Sequence, residues 1–192
     1  MWVNFHSNFH HLVLMFSLLY LLDPIPSNNV DKPEGSTEKI IGSWLRKGAG
    51  RREKVVIASK ITGGRHVTPR TIREDCEASL RRLGTDYLDV YNLHWPARYT
   101  PQSNWGQSLN YDFEQENSMY YKDPTSFAAI ASVMGKLVKE GKIRGWGMCN
   151  DNCYGMVASC AAADKLEVER PCVMQNDFSL LGECFVILRY AV

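Results

Sequence analysis

The stretch DYLDVYNLHWPARY, residues 86–99, decides the fold class. Its first half is rich in Leu, Val and Tyr and has the length of a buried strand. Pro96 ends that strand, because proline has no backbone N–H to donate to a neighbouring strand. His94 therefore lies at the carboxyl end. A histidine there either takes part in catalysis at the mouth of a barrel or is a buried side chain that only makes a hydrogen bond.

Other strands and helices alternate with this one along the chain. Three further runs of strand length are KVVIASK (54–60), KIRGWGMCN (142–150) and PCVMQNDFSLL (171–181). Helices with apolar residues at helical spacing are predicted to begin near Ser36, Thr68-Pro69, Asp123-Pro124 and residue 152. Strict alternation predicts parallel strands joined by right-handed crossovers, in either an open doubly wound sheet or part of a (β/α)8 barrel.

The first predicted helix also has a predicted buried side. Ser36 is expected to cap it, since a serine side chain can accept a hydrogen bond from a free N–H of the first turn. Its apolar face is expected to hold Ile40, Ile41, Trp44 and Leu45.

Composition excludes several classes of function. The 192 residues are 45% hydrophobic and 22% charged, which suits one globular domain with a core. The 22 Lys and Arg residues balance 21 Asp and Glu residues, so we expect no nucleic-acid partner. The six cysteines form no CxxC pair and no zinc-type spacing. We therefore expect a reducing compartment, the cytoplasm, with no disulfide and no metal site.

Two segments do not fit the alternating pattern. Residues 12–22, LVLMFSLLYLL, carry no charge but are too short to span a bilayer. They are expected to form a buried strand or helix; a signal peptide or membrane anchor is the alternative, although no Lys or Arg precedes them. The second segment, residues 97–122, is a long polar loop, and such loops are usually functional or disordered.

A polar residue stands at the carboxyl end of each predicted strand after the first 34 residues: Lys60, His94, Asn150 and Gln175. In a barrel these ends all face the rim where active sites lie. No GxGxxG or GxxxxGK[ST] motif follows a strand, which disfavours Rossmann and P-loop folds. Singly, a lysine at a strand end is usually solvated, and Asn or Gln can simply form a turn. Four such residues at equivalent ends favour a shared site.

The segments VVIASK, DYLDVYNLHWP, LVKEGKIRGWGMCN and QNDFSLL, in this order, resemble successive strand-end motifs of the aldo/keto reductase family. The resemblance covers about residues 35–182, between an atypical N-terminal segment and loop (1–34) and a divergent C-terminal tail (183–192). It implies a partial (β/α)8 TIM barrel of about four β/α units. The family uses NADPH to reduce aldehydes or ketones to alcohols by hydride transfer.

The resemblance also implies catalytic roles. Lys60 matches the family lysine that lowers the pKa of a proton-donating tyrosine, and His94 matches the histidine that orients the substrate carbonyl. The family tyrosine and an aspartate that pairs with the lysine belong to a DxAxxY segment. In this chain Tyr20 and Asp23 stand in that region, but their order and spacing differ, so neither role is assigned to them.

The same resemblance implies the cofactor contacts. Asn150 and Gln175 match positions that hydrogen-bond the nicotinamide carboxamide. Phe178 stands where an aromatic ring, usually tyrosine, stacks on the nicotinamide. Cys149 replaces the usual serine, so one carboxamide contact is expected to be weaker.

Two functions are therefore expected. The first is an NADP-dependent oxidoreductase that acts on a small-molecule carbonyl substrate and is impaired by truncation. The second is a non-catalytic member of the family, a nucleotide-binding or subunit-interaction module that pairs with another chain through open barrel edges. Neither involves nucleic acid or a membrane.

Overall fold

Five parallel strands form one sheet in the same order as they occur in the chain. The computed structural model describes residues 12–15, 35–61, 63–100, 111–116 and 123–176. The strands are β1 Leu12–Met15, β2 Val55–Ile61, β3 Leu88–Leu93, β4 Ile143–Cys149 and β5 Val173–Gln175. A doubly wound sheet reverses its strand order at a switch point, whereas a barrel adds each strand to the same side. The order confirms the partial (β/α)8 barrel.

Helices connect consecutive strands on one face of the sheet. They are α1 Ser36–Arg46, α2 Pro69–Leu83, the short α3 Phe113–Glu116, α4 Phe127–Lys139 and α5 Cys153–Lys165. Short 3-10 turns cover Arg52–Lys54 and Gly64–His66. In the described part of the chain, no helix is both long enough and apolar enough to cross a membrane.

Three helices begin with the expected type of side-chain cap. The Thr68 hydroxyl accepts a hydrogen bond from the Thr71 N–H before Pro69, as predicted. The Ser126 side chain caps α4, so that helix begins after Ser126 and not directly after Asp123-Pro124. The Asn152 side chain caps α5. Each cap satisfies an N–H that has no partner within its own helix.

Helix α1 differs from the expectation at its cap and on its buried face. Its N-cap is Gly35, with φ +72°, and Ser36 is the first helical residue. Ile41 and Leu45 are buried, but Ile40 is 70% exposed. The buried face differs from the predicted one because α1 packs closely against α2: a Cβ at Gly42 would lie 2.5 Å from the Arg82 carbonyl oxygen. This close contact between the helices determines which face of α1 is buried. Apolar spacing alone does not determine it.

The two faces of the sheet have different side chains. Ser59, Tyr91 and Trp146 form one row across β2, β3 and β4 and face the helices. The Ser59 hydroxyl donates to Glu38 of α1 (2.7 Å), and the Tyr91 hydroxyl donates to the Ile72 carbonyl of α2 (3.3 Å). Because side chains alternate along a strand, the next residue on each strand faces the inside of the barrel.

Strand β1 is formed by the first four residues of the apolar segment 12–22. Its four residues pair in parallel register with β2, from Leu12 beside Val55 to Met15 beside Ala58. The expected strand is thus confirmed for residues 12–15, while residues 16–22 lie outside the described part of the chain.

Candidate functional site

The inner face of the sheet carries one row of polar residues near the carboxyl ends of the strands. Lys60 of β2 lies in register with Asn92 of β3, which lies in register with Gly147 of β4. Lys60 is 6% exposed, although lysine is rarely buried. A Cβ at Gly147 would lie 2.4 Å from the Asn92 side-chain oxygen, so glycine is needed beside this amide.

Asn92 is fully buried in this row. Its side-chain oxygen and nitrogen have no hydrogen-bond partner among the described residues. An unpaired buried amide costs roughly 1–3 kcal/mol of stability. This part of the barrel interior therefore presents hydrogen-bonding groups that no described residue pairs with. The signal in the sequence was a lone Asn within the apolar run VYNL.

Cys149 and Gln175 lie beyond this row, at the ends of β4 and β5. Burial raises the pKa of the Cys149 thiol to about 11, and the nearby Lys60 ammonium opposes that effect through its charge and a side-chain hydrogen bond. The thiol remains protonated at neutral pH and donates to the Gln175 side-chain oxygen at 3.6 Å. Cys149 therefore contacts Gln175 and lies within the electrostatic influence of Lys60.

His94 immediately follows β3. Its backbone N–H donates to the Ile61 carbonyl at 3.1 Å, which continues the pairing with β2. Burial, and then the charge of Lys60, lower the pKa of His94 to about 4. The imidazole is thus neutral at neutral pH, so it can donate or accept a hydrogen bond but does not carry a positive charge.

Asn150 connects the two sides of this site. It has φ +53°, a left-handed conformation that is uncommon for residues other than glycine. Its side-chain nitrogen donates to the His94 carbonyl at 2.9 Å, and its backbone N–H donates to the Gln175 carbonyl at 3.1 Å. The four strand-end residues Lys60, His94, Asn150 and Gln175 are thereby brought to one rim; Phe178 lies outside the described residues.

A buried ion pair beside this rim was not expected from the sequence. The Arg98 guanidinium, in the loop after β3, binds both carboxylate oxygens of Asp151 at 2.6 and 3.1 Å. The Asp151 side chain is 2% exposed. Arg98 and Asp151 are 53 residues apart, so a local sequence pattern does not reveal that they pair. The sequence showed only Asp151-Asn152 in front of an alanine-rich helix.

Metal-ligand clusters and disulfides are absent from the described part of the chain. Throughout the ranges that the structure describes, no cluster of three or more His, Cys, Asp or Glu side chains is placed to hold a metal ion. The five cysteines within those ranges, Cys76, Cys149, Cys153, Cys160 and Cys172, form no disulfide.

Comparison with known proteins agrees with this geometry. A model described as the Aldo/keto reductase family matches residues 28–187. The protein named Protein tas from Escherichia coli strain K12 is 33% identical over 175 residues, which are 85% of this chain and 47% of that protein. Methylglyoxal reductase YeaE from the same organism is 35% identical over 117 residues, 61% of this chain and 31% of that protein.

A solved structure shows the same fold. The aldo-keto reductase from Klebsiella pneumoniae, crystallised in complex with NADPH, superposes with a TM-score of 0.50 and 30% identity. The match covers 76% of this chain and 37% of that one. The chain thus spans less than half the length of each relative described here.

Proposed function

Because the chain belongs to the aldo/keto reductase family, we propose that it binds NADPH and reduces a small aldehyde or ketone at the rim formed by β2–β5. The observation that carries this proposal is the contact set in which a buried lysine, a neutral histidine and two amide side chains meet at adjacent strand ends. We further propose the cytoplasm as its compartment.

The amide pair suits the carboxamide of nicotinamide. Asn150 uses its side-chain nitrogen on the His94 carbonyl, and Gln175 uses its side-chain oxygen on the Cys149 thiol. The Asn150 oxygen and the Gln175 nitrogen are the complementary acceptor and donor for another primary amide. Phe178 is proposed to stack on the nicotinamide ring, as in the family.

The catalytic roles follow from charge. Bound NADPH supplies the hydride. The neutral His94 ring donates a hydrogen bond to the carbonyl oxygen of the substrate and orients it, since a pKa of about 4 leaves no imidazolium to act as the acid at neutral pH. The buried Lys60 ammonium stabilises the negative charge that develops on that oxygen, and a proton taken up from solvent converts the alkoxide to the alcohol.

A second candidate, nucleotide binding without turnover, is favoured by the positions of the tyrosines. Among the described tyrosines, the Tyr91 hydroxyl donates to the Ile72 carbonyl of α2, and the Tyr87 ring lies against two arginines at the amino end of the sheet. Neither of these two is therefore placed as the proton donor. Such a module would pair with another chain through the edges of its sheet.

Thermal unfolding with and without NADPH tests the shared premise. NADPH at about 100 times its Kd should stabilise the chain by about 3 kcal/mol and raise Tm by several degrees. Gln175→Leu should remove most of that shift. Met174→Leu, the same replacement on the adjacent residue of β5, should leave it intact. No shift in the wild-type chain would contradict both candidates.

NADPH consumption then separates the candidates. Incubation with a panel of small aldehydes and ketones should consume NADPH, and His94→Ala should slow that consumption by about a hundredfold. A Tm shift without consumption would instead support the binding module. Unchanged turnover in His94→Ala would refute the role given to the histidine.

A further inference from the structure

The buried pair of Arg98 and Asp151 lies next to the proposed nicotinamide site without being part of it. We infer that Arg98 is a positioning residue, which acts through Asp151 to hold Asn150 in the conformation that joins His94 to Gln175. The functional consequence of this inference rests on the proposed function, whereas its structural consequence does not.

Asn150 needs support from its neighbours. With φ +53° its backbone is in the left-handed region, which asparagine tolerates better than most residues but which is less favourable than negative φ, so contacts from neighbouring residues help to hold it. Its own two hydrogen bonds, to the carbonyls of His94 and Gln175, are made because of that conformation. If the backbone relaxed to negative φ, the side chain and the N–H would point elsewhere and both bonds would be lost.

Asp151 supplies part of that support. Its carboxylate accepts from the Asn152 backbone N–H at 2.7 Å as well as from Arg98, and its carbonyl accepts from the Asn176 side chain at 3.0 Å. The carboxylate fills space above the first turn of α5, where a Cβ at Gly155 would lie 2.3 Å from both oxygens. A residue fixed at backbone and side chain restricts the backbone of the residue before it.

Arg98 fixes the carboxylate from the other side. The guanidinium also donates to the Asn152 side-chain oxygen at 2.9 Å, the same oxygen that caps α5. It lies 5.3 Å from the Phe127 ring centre and 5.5 Å from that of Tyr154, so aromatic faces of α4 and α5 surround it. One side chain thereby joins the loop after β3, the loop after β4 and the beginnings of two helices.

Loss of Arg98 should therefore affect Asn150 before it affects the core. A carboxylate that is 2% exposed and unpaired is strongly unfavourable, so Asp151 would move towards water and release the adjacent backbone. The pairing of β2, β3 and β4 does not depend on this ion pair, because neither Arg98 nor Asp151 takes part in those strand registers. A positioning role thus predicts a local change at the site, and a merely structural role predicts a uniform loss of stability.

Hydrogen exchange tests the structural consequence. In Arg98→Gln, exchange of the Asn150 amide should accelerate by about tenfold or more relative to that of the Trp146 amide in β4. The matched control is Arg52→Gln, because Arg52 makes a partly buried ion pair with Asp89 (2.7 Å) at the opposite end of the sheet. The control should leave the Asn150 to Trp146 ratio unchanged. An unchanged ratio in Arg98→Gln would overturn the inference.

NADPH affinity tests the functional consequence. Arg98→Gln should raise the Kd of NADPH by about tenfold, and Arg52→Gln should not, even where the two variants lose similar stability. Equal Kd values would overturn the positioning role. Where the wild-type chain binds no NADPH, the proposed function fails, and the exchange ratio alone still supports or overturns the role of Arg98.

A conservative variant covers the case in which Arg98→Gln does not fold. Arg98→Lys keeps the charge but presents a single ammonium instead of a two-pronged guanidinium. The ratio of the Asn150 exchange rate to the Trp146 exchange rate should rise in this variant. If both variants fold, the rise should be smaller than in Arg98→Gln. A ratio equal to that of the wild-type chain would overturn the inference.

Discussion

The polar side chains at the two ends of the parallel sheet have different kinds of partners. At the amino end, Asp89 accepts from Arg52 at 2.7 Å, from the Ile57 N–H at 2.9 Å and from Arg144 at 3.1 Å. The Tyr87 ring lies against both guanidiniums, 3.8 and 4.1 Å from its centre. The charges in this cluster are thus neutralised by oppositely charged or aromatic neighbours.

The turn before β4 is paired in the same manner. Glu140 accepts two hydrogen bonds from Arg73, both 2.6 Å, and lies 3.2 Å from Lys142. Lys142 also lies 2.5 Å from Glu77 of α2. These contacts join α2 to the α4–β4 turn, as expected for the end of a barrel that serves stability.

At the carboxyl end the ion pair of Arg98 with Asp151 lies beside the rim, and the rim residues themselves are not paired in this way. Lys60 has the neutral Cys149 and His94 as neighbours. The Asn92 amide has no partner among the described residues, and Asn150 keeps a left-handed backbone. Sites that bind or react commonly carry such strain and unpaired polarity, which their own stability does not require. The difference teaches that one end of this sheet stabilises the fold, and that the other end is where we propose ligand binding.

Lys60→Met should show the largest effect. We expect NADPH-dependent turnover to fall by about a hundredfold or more. The free energy of unfolding should stay unchanged or rise by about 1 kcal/mol, because a buried ammonium with neutral neighbours is poorly solvated. The matched control, Lys142→Met, should leave turnover intact and lower stability slightly. Equal turnover losses in both would remove the contrast between the ends.

The pH dependence of stability should differ between the ends. The pKa of His94 is about 4 in the folded chain against an ordinary 6.5, so its neutral form is favoured by folding. That contribution is complete above pH 6.5 and is lost as pH falls towards 4, by about 3 kcal/mol at most. Urea unfolding of the wild-type chain and of His94→Asn measures it; parallel pH curves would contradict a neutral His94 in the folded chain.

Glu140 provides the comparison at the other end. Its hydrogen bond with Arg73 lowers the pKa of the carboxyl from 4.5 to about 2. This contribution is therefore present above pH 4.5 and lost as pH falls towards 2. Glu140→Gln should remove pH dependence only in that lower window, which the same unfolding series can check.

Asp89→Asn should cost about 2 kcal/mol of stability, because it removes the charge that two arginines and a backbone N–H share. The Kd of NADPH should not change, since the cluster lies at the far end of the strands. Urea unfolding and a NADPH titration together measure this. A weaker NADPH affinity with unchanged stability would assign the amino end a part in the site.

Cys149→Ser should have the smallest effect. Burial keeps the thiol neutral and a weak donor to Gln175. A hydroxyl, the group that the family usually has there, makes stronger hydrogen bonds, so NADPH should bind about two- to tenfold more tightly. The same titration measures this change. Weaker binding by the serine variant would show that the thiol suits the site better.

Apolar runs and caps allowed most elements to be predicted. The runs at 54–60, 87–95 and 142–150 became β2, β3 and β4 because buried parallel strands need continuous apolar sequence. Thr68-Pro69 marked the start of α2 because both residues act locally. The face of α1 and the start of α4 were not predicted correctly, since apolar spacing does not specify the contact partner.

The sequence by itself determined the order of strands and helices, the strand-end positions of Lys60, His94, Asn150 and Gln175, and the family resemblance. These depend on local spacing, which a linear pattern records. Only the tertiary structure decided that Asn92 is buried beside Gly147 and that Arg98 meets Asp151. Those contacts depend on strand register and on loops far apart in the chain, and burial sets their energies.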